Sequence, residues 1–225
     1  MKKILFNLYL IIININNYGL FLLFKTIFYE LFYITKFLDF RSYLYSDNKK
    51  KDYLKTKTSD RYSTPAIPTP YFFLKYIKDY FIKEKINDFT LIDLGCGSGR
   101  VGVYLSYFLK IKFFGIDNNE ILINSNKKKF KDKDNFNFYY LNLQDIKSVN
   151  KFNLNQFLDS KQKVLFVSDP FDKYSIMQLI KYYKEFFNFY FVMINQKDLN
   201  YFSDLNCIYK IYFKNQKRNI QIFKI

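Results

Sequence analysis

The chain has 225 residues, and its 36 Lys and Arg against 20 Asp and Glu give a formal net charge of +16. This length accommodates one α/β domain with a modest extension, and 49% hydrophobic residues are enough for a core. Because the chain has no histidine, a Ser-His-Asp triad, a histidine general base and a histidine-ligated metal are excluded. We predict no metal site.

The positive charge does not by itself indicate a nucleic-acid partner. The chain is rich in Lys, Asn, Ile, Phe and Tyr, which is typical of A/T-rich coding, so its lysines are expected to scatter over solvated surfaces. The densest lysine runs lie in residues 49–51 and 127–133, and we interpret both as solvated charge, with a phosphate-binding patch as the alternative. Cys96 and Cys207 fit neither a disulfide framework nor a zinc site, which indicates a reducing, cytoplasmic compartment.

Residues 1–45 are predicted to form a hydrophobic helical extension. Lys2 and Lys3 before apolar residues 4–13 are similar to the start of a signal sequence, but no small-residue cleavage site follows. Residues 4–24 are long enough to span a bilayer, yet they contain four asparagines. We therefore expect amphipathic helices that pack on the domain or associate peripherally with a membrane through residues 1–40, with a transmembrane anchor as the alternative. Residues 46–61 are polar and aperiodic, which predicts a linker.

Residues 62–225 are predicted to form one α/β domain. The proline-rich residues 62–71 must be extended, and Thr69 is expected to cap the next helix, with Pro70 at its first position. Helices are predicted over residues 71–85, 101–110, 119–130 and 173–187, and strands over 90–94, 112–117, 136–141, 163–168, 189–195, 207–213 and 219–225. This alternation predicts a parallel sheet with helices on both faces, ending in a hairpin.

The most specific pattern in the chain is D-x-G-x-G-x-G at residues 93–99, between a hydrophobic strand and a helix. Its glycines permit a tight turn that a ligand can approach closely, and the helix points its first amides at that ligand. Residues 97–102 also satisfy G-x-G-x-x-G, so a dinucleotide is the competing ligand. Asp117, about 20 residues beyond the turn, suits the ribose of either ligand. Asp93 favours a methyl donor, because a carboxylate suits an ammonium group and would repel a pyrophosphate.

This pattern resembles motif I of the class I S-adenosylmethionine-dependent methyltransferases. The resemblance covers residues 62–225 and implies a Rossmann-like, seven-stranded, mostly parallel sheet with a C-terminal antiparallel hairpin, in addition to the N-terminal extension. It also implies S-adenosyl-L-methionine as the cofactor. The residues that it assigns to cofactor binding are Asp93, Gly95, Cys96, Gly97 and Gly99 at the methionine portion, Asp117 at the ribose, and Asn118, Asn142 and Leu143 near the adenine. Asn142 stands where the family often has an acid, and its carbonyl can accept the same hydrogen bond.

A second segment, residues 168–171 (Ser-Asp-Pro-Phe), follows the fourth predicted strand of the domain. It partly resembles the (N/D/S)-P-P-(Y/F) loop of methyltransferases that act on amide or exocyclic amine nitrogens, with Asp169 in place of the first proline. Over the whole chain, the sequence is more similar to a functionally poorly defined methyltransferase group with an N-P-F-like loop and a Y-x-P-T-P-Y-like stretch. The resemblance implies Asp169 as the base and Tyr62 and Tyr71 in the methyl-transfer pocket. Alternatively, Asp169 only caps the following helix.

Together these patterns predict transfer of a methyl group to an unidentified nitrogen or oxygen of a protein or small molecule. Two alternatives stay open. The first is methylation of an RNA base nitrogen, which predicts lysines clustered around the crevice and salt-sensitive binding. The second is a catalytically silent donor-binding module tethered by its N-terminus.

Overall fold

A computed structural model describes residues 20–37, 69–142, 162–168, 173–194, 202–212 and 219–225. Tyr62, Leu143, Asp169 and the predicted linker at residues 46–61 lie outside the described residues. The helices are α1 (Leu20–Phe37), α2 (Tyr71–Lys83), α3 (Arg100–Phe108), α4 (Glu120–Lys129) and α5 (Lys173–Lys184). The strands are β1 (Asp88–Leu94), β2 (Lys110–Asp117), β3 (Phe136–Tyr140), β4 (Gln162–Ser168), β5 (Tyr190–Ile194), β6 (Cys207–Tyr212) and β7 (Asn219–Lys224).

The strands form a seven-stranded sheet in the order β3-β2-β1-β4-β5-β7-β6. Strands β1 to β5 pair in parallel, whereas β7 pairs antiparallel with both β5 and β6. The predicted fold class is therefore confirmed, including the C-terminal antiparallel hairpin. Every predicted helix and strand of the domain is present, with bounds within about three residues of those expected from hydrophobic periodicity.

The central strands β1 and β2 are buried on both faces of the sheet, and adjacent residues of each strand belong to opposite cores. Leu91 and Phe113 belong to one core, whereas their chain neighbours Ile92 and Phe114 belong to the other. This follows from the two-residue period of a strand. Helices α2 to α4 contribute to the first core and α5 to the second, which explains why β1 and β2 read as nearly continuous apolar runs.

Helix α1 packs on the domain through one side only. Its residues Tyr29, Tyr33, Ile34 and Phe37 are partly buried against the first core. The ring of Tyr33 meets that of Tyr104 in α3 edge-on, with centroids 5.0 Å apart. Packing on the domain was one of the arrangements expected for the extension. Of the helices in the described ranges, none has the length and apolarity needed to cross a membrane.

The start of α2 differs from the sequence prediction. Pro70 occupies the N-cap position without a side-chain capping bond, so the predicted Thr69 cap is wrong. Instead, the Tyr71 backbone N–H donates to Oε1 of Glu30 in α1. A carboxylate at a helix N-terminus satisfies a free amide and interacts favourably with the helix dipole. No local pattern could predict this cap, because it comes from a distant segment of the chain.

Candidate functional site

The site is built around the glycine turn, residues 95–99, which connects β1 to α3. The N–H groups of Gly95 and Cys96 both donate to the carbonyl of Ile116 in β2, at 2.8 and 3.0 Å. Gly95, Gly97 and Gly99 have φ values of 83°, 51° and 77°. A side-chain-bearing residue in this left-handed region costs about 1–2 kcal/mol, so the backbone conformation itself requires the three glycines.

Two further glycines allow close packing around the turn. A Cβ on Gly115 would lie 2.8 Å from Cys96 Sγ, so its absence lets the turn pack directly on β2. A Cβ on Gly102 would lie 2.5 Å from the ring of Phe113, so α3 approaches the sheet closely there. Gly102 is the last glycine of the G-x-G-x-x-G pattern. Its close approach to Phe113 shows that helix–sheet packing requires this glycine, so the match to the pattern does not indicate a dinucleotide.

Asp117, at the end of β2, is fixed beside the turn by backbone donors. Its Oδ2 accepts the Gly97 N–H at 2.9 Å, and its Oδ1 accepts the Asn119 N–H at 2.8 Å. Burial raises the pKa of Asp117, while backbone hydrogen bonds from Gly97, Asn119 and Asn118 act in the opposite direction. Since a carboxylate oxygen accepts more than one hydrogen bond, Asp117 can still receive hydroxyl donors from a ligand.

Asn126 holds the other side of the turn and was missed in the sequence. Its Nδ2 donates to the Gly97 carbonyl at 2.7 Å, and the side chain is buried. Asparagine is so frequent in this chain that its identity carried no signal. The available signal was its position four residues after Leu122, on the buried side of α4, where a polar residue needs a partner.

Asp93 is the least satisfied group at the site. The residue is 1% exposed, and its Oδ2 has no hydrogen-bond partner among the residues that the structure describes. Burial raises the pKa of this carboxyl well above its usual range, and the charge of Asp117 raises it further. A buried carboxylate is costly unless a cation or hydrogen-bond donor compensates it. The site is thus chemically complementary to a cationic ligand.

Cys96 lies inside the turn but is not activated as a nucleophile. Burial raises the pKa of its thiol well above the usual value, and the charges of Asp93 and Asp117 raise it further. Reactive cysteines have lowered pKa values, because the thiolate is the nucleophile. Cys96 therefore fills space between the turn and β2 as a neutral thiol.

Most of the predicted cofactor-binding residues come together in one place. The residues at or beside the glycine turn are Asp93, Gly95, Cys96, Gly97, Gly99, Asp117 and Asn118. Asn142 lies two residues after β3, in a segment where the Leu141 N–H donates to the Asp117 carbonyl at 3.0 Å. Tyr71 is completely buried in the first core, with its ring centroid 4.4 Å from the guanidinium carbon of Arg100.

Arg100 and Glu30 form a buried ion pair that sequence analysis missed. Arg100 is the first residue of α3, directly after the glycine turn, and its Nη1 lies 2.8 Å from Glu30 Oε2. The side chains are 3% and 14% exposed. The same Arg100 nitrogen also donates to the Thr69 carbonyl at 3.3 Å. This pair joins α1 to the element that begins at the turn, and 70 residues of sequence separate its members.

The lysine run at residues 127–133 lies at the end of α4 and in the segment after it. It follows directly on Asn126, whose side chain contacts Gly97, and the ring of Phe130 within the run lies 3.5 Å from the position of a Cβ on Gly99. Its lysines are exposed, and Lys127, Lys131 and Lys133 border a cavity of about 350 Å³. The Nζ of Lys133 lies 5.0 Å from the ring centroid of Phe136.

Comparison with known proteins identifies the fold. No family model matches the chain, and no curated protein does. The chain is similar in structure to an inferred methyltransferase from Thermobifida fusca, with a TM-score of 0.53, 9% identity and coverage of 67% of this chain and 78% of that one. It is also similar to an inferred SAM-dependent methyltransferase from Streptococcus mutans, with a TM-score of 0.50, 10% identity and coverage of 67% and 48%. An RNA methyltransferase from Salinibacter ruber, in complex with S-adenosyl-L-homocysteine, gives a TM-score of 0.48 and 15% identity over 71% and 94% of the two chains. The first two similarities show that the chain has the Rossmann-like fold of the class I methyltransferases.

Proposed function

We propose that this chain is an S-adenosylmethionine-dependent methyltransferase that transfers the methyl group to a nitrogen or oxygen of a protein or small molecule. The observation that carries the proposal is the buried Asp93 carboxylate, whose Oδ2 has no partner among the described residues, beside a turn of three left-handed glycines. This arrangement, in a methyltransferase fold, fits a ligand with an ammonium group. It fits a pyrophosphate poorly, because Asp93 and Asp117 would both repel it.

The residues of the site have distinct roles in holding the cofactor. Asp93 accepts hydrogen bonds from the ammonium group, and the glycine turn lies against the methionine portion. Asp117, held by Gly97 and Asn119, accepts from the ribose hydroxyls, while Asn118 and Asn142 border the adenine. When bound, S-adenosylmethionine supplies a methyl group that is already activated by its sulfonium. The protein then needs mainly to align the acceptor and exclude water.

The acceptor is expected at the edge of the sheet where β1 and β4 both end. These strands run parallel, with Leu94 paired to Val167, so Ser168 ends β4 close to the start of the glycine turn. Asp169 follows Ser168 in the sequence and is the proposed base for an acceptor that must lose a proton. The lysine run at residues 127–133 begins directly after Asn126 beside the turn, so RNA stays the alternative acceptor.

The first experiment measures binding of S-adenosylhomocysteine by calorimetry to the full chain and to two matched variants. Gly97→Arg places a side chain in the turn at a left-handed position and should abolish binding. Asn124→Arg adds the same charge at an exposed position of α4 and should leave binding unchanged. Absence of binding to the wild-type chain, or equal binding by both variants, would refute the assignment of the cofactor site.

The second experiment measures transfer of a radiolabelled methyl group from S-adenosylmethionine into fractionated cell extract, with Gly97→Arg as the blocked control. Label in a protein or small-molecule fraction supports the proposal and names the acceptor class. Label in RNA overturns the acceptor class but not the activity. Binding of the donor without transfer to any fraction supports the silent module instead.

A further inference from the structure

Helix α1 has an apolar side that faces away from the domain. Its residues Leu20, Phe21, Phe24, Ile27, Phe28, Leu31 and Phe32, here called the outer face, are all exposed. Phe21 is 80% exposed and Phe28 is 67% exposed, whereas the opposite side of the helix packs on the first core. A surface helix normally shows polar residues to solvent, so α1 has the reverse of the expected pattern.

The outer face is larger than an ordinary exposed patch. With about 200 Å² for each phenylalanine side chain, the four rings alone expose roughly 500 Å², and the leucines and isoleucine add to this. The largest apolar patch of a typical monomer measures about 300–600 Å², and patches beyond that mark binding surfaces for proteins or membranes. Folding of the domain does not require this exposure, since the contacts of α1 with the domain use its other side.

Two lysines border the outer face on one flank. Lys25 and Lys36 are eleven residues apart, or about three helical turns, so they lie on the same side of α1. Each has its Nζ between a ring of the outer face and a ring of the domain. Lys25 Nζ lies 5.9 Å from the centroids of both Phe21 and Phe72, and Lys36 Nζ lies 5.7 Å from that of Phe32 and 4.1 Å from that of Tyr107. Glu30 is the only acidic residue of α1, and its charge is paired with Arg100. The solvent side of α1 therefore combines aromatic rings with positive charge only.

We propose that the outer face of α1 docks this protein on an anionic lipid surface, with the helix lying in the plane of the membrane. Phenylalanine and leucine side chains enter the boundary between headgroups and acyl chains, while flanking lysines contact anionic headgroups. The formal net charge of +16 attracts the whole molecule to such a surface. The same charge disfavours a second copy of this chain as the occupant, because two copies repel each other.

The test is flotation of the full chain with lipid vesicles of phosphatidylcholine alone and with about one-third phosphatidylserine. The wild-type chain should float with the anionic vesicles and much less with the neutral ones. The double variant Phe24→Ser with Phe28→Ser should bind at least about tenfold more weakly, because two rings no longer enter the lipid. Lys25→Gln and Lys36→Gln should each weaken binding about fivefold.

A matched control removes two exposed rings elsewhere, Phe186→Ser with Tyr212→Ser, which are 49% and 55% exposed. It should float like the wild type, and circular dichroism checks that all variants are folded. A wild-type chain that stays with the soluble fraction, or equal binding by both double variants, overturns the proposal. So does a dimer in light scattering that only Phe24→Ser with Phe28→Ser dissociates, because the face would then bind a second copy.

Discussion

Replacing Glu30 with alanine tests whether α1 is an integral part of the domain. In the wild-type chain, one oxygen of Glu30 binds the Arg100 guanidinium at 2.8 Å and the other accepts the Tyr71 N–H at the start of α2. The substitution removes both interactions at once. Arg100, only 3% exposed, then keeps a buried charge without its carboxylate, and a helix-terminal amide loses its acceptor.

The expected loss of stability is large for one substitution. Removing one partner of a buried ion pair costs about 3–5 kcal/mol, because the other charge remains buried. This is a substantial fraction of the roughly 5–15 kcal/mol that stabilises a typical native protein. For a chain of this length, the melting temperature should fall by about 10 °C.

Urea unfolding followed by far-ultraviolet circular dichroism measures the change, with Asp88→Asn as the matched control. Asp88 also lies 3.0 Å from a cationic partner, Lys110, but the two side chains are 60% and 84% exposed. Breaking such a surface pair should cost less than about 1 kcal/mol. Two more variants, Arg100→Met and the double variant Glu30→Ala with Arg100→Met, complete a double-mutant cycle that measures the coupling between the two side chains.

The double variant should be more stable than Glu30→Ala alone, since it no longer buries an uncompensated charge. If Glu30→Ala instead shifts the midpoint of urea unfolding no more than Asp88→Asn does, the Glu30–Arg100 pair does not stabilise the protein. The packing of α1 on the domain would then not depend on that pair. A double variant whose cost equals the sum of the two single costs would equally refute the coupling.

Four further variants test the cofactor site and the proposed base. Asp93→Asn should stabilise the ligand-free protein but weaken binding of S-adenosylhomocysteine roughly tenfold or more, as checked by melting and calorimetry. Because the folded pKa of Asp93 is raised, its contribution to stability is greatest at low pH and is lost as pH rises above about 4, the unfolded value. Unfolding between about pH 4 and 7 should show this decline in the wild type but not in Asp93→Asn, and equal slopes would contradict it. Asp117→Ala should weaken binding by freeing the Gly97 N–H and removing the ribose acceptor, and an unchanged dissociation constant would refute that role. Asn126→Ala should lower stability by about 1–3 kcal/mol in urea unfolding, because the Gly97 carbonyl loses its buried donor, and no change would mean that water replaces the amide. Asp169→Ala should abolish methyl transfer without weakening cofactor binding, and full turnover would exclude Asp169 as the base.

Periodicity and local motifs were sufficient to predict the domain. The alternation of apolar strands and amphipathic helices after residue 70 predicted the helices, the strands and the terminal hairpin, because each pattern reports a backbone period. The glycine turn was equally predictable, since its three left-handed positions, 95, 97 and 99, disfavour any residue with a side chain. The place of Asp117 beside the turn was predictable because the spacing between a strand end and a turn follows from the fold, whereas its role at the ribose stays a prediction.

The side-chain contacts that fix the glycine turn and the start of α2 could not be predicted from periodicity or local motifs. The Asn126 side chain reaches Gly97 from a helix whose register on the sheet depends on packing, and its identity was hidden among many asparagines. Thr69 looked like a local cap, yet the cap of α2 is Glu30, brought there from a different helix. Interactions between distant segments leave no period and no spacing in the sequence.

The sequence by itself determined the elements, their order and the conformation of the glycine turn, because these depend on local sterics and on hydrophobic periodicity. Only the tertiary structure decided how those elements meet. It buried Asp93 with one oxygen unpartnered among the described residues, paired Arg100 with Glu30, and turned the aromatic outer face of α1 toward solvent. The physical reason is that burial, and with it the energy of a charge, belongs to the packed chain as a whole.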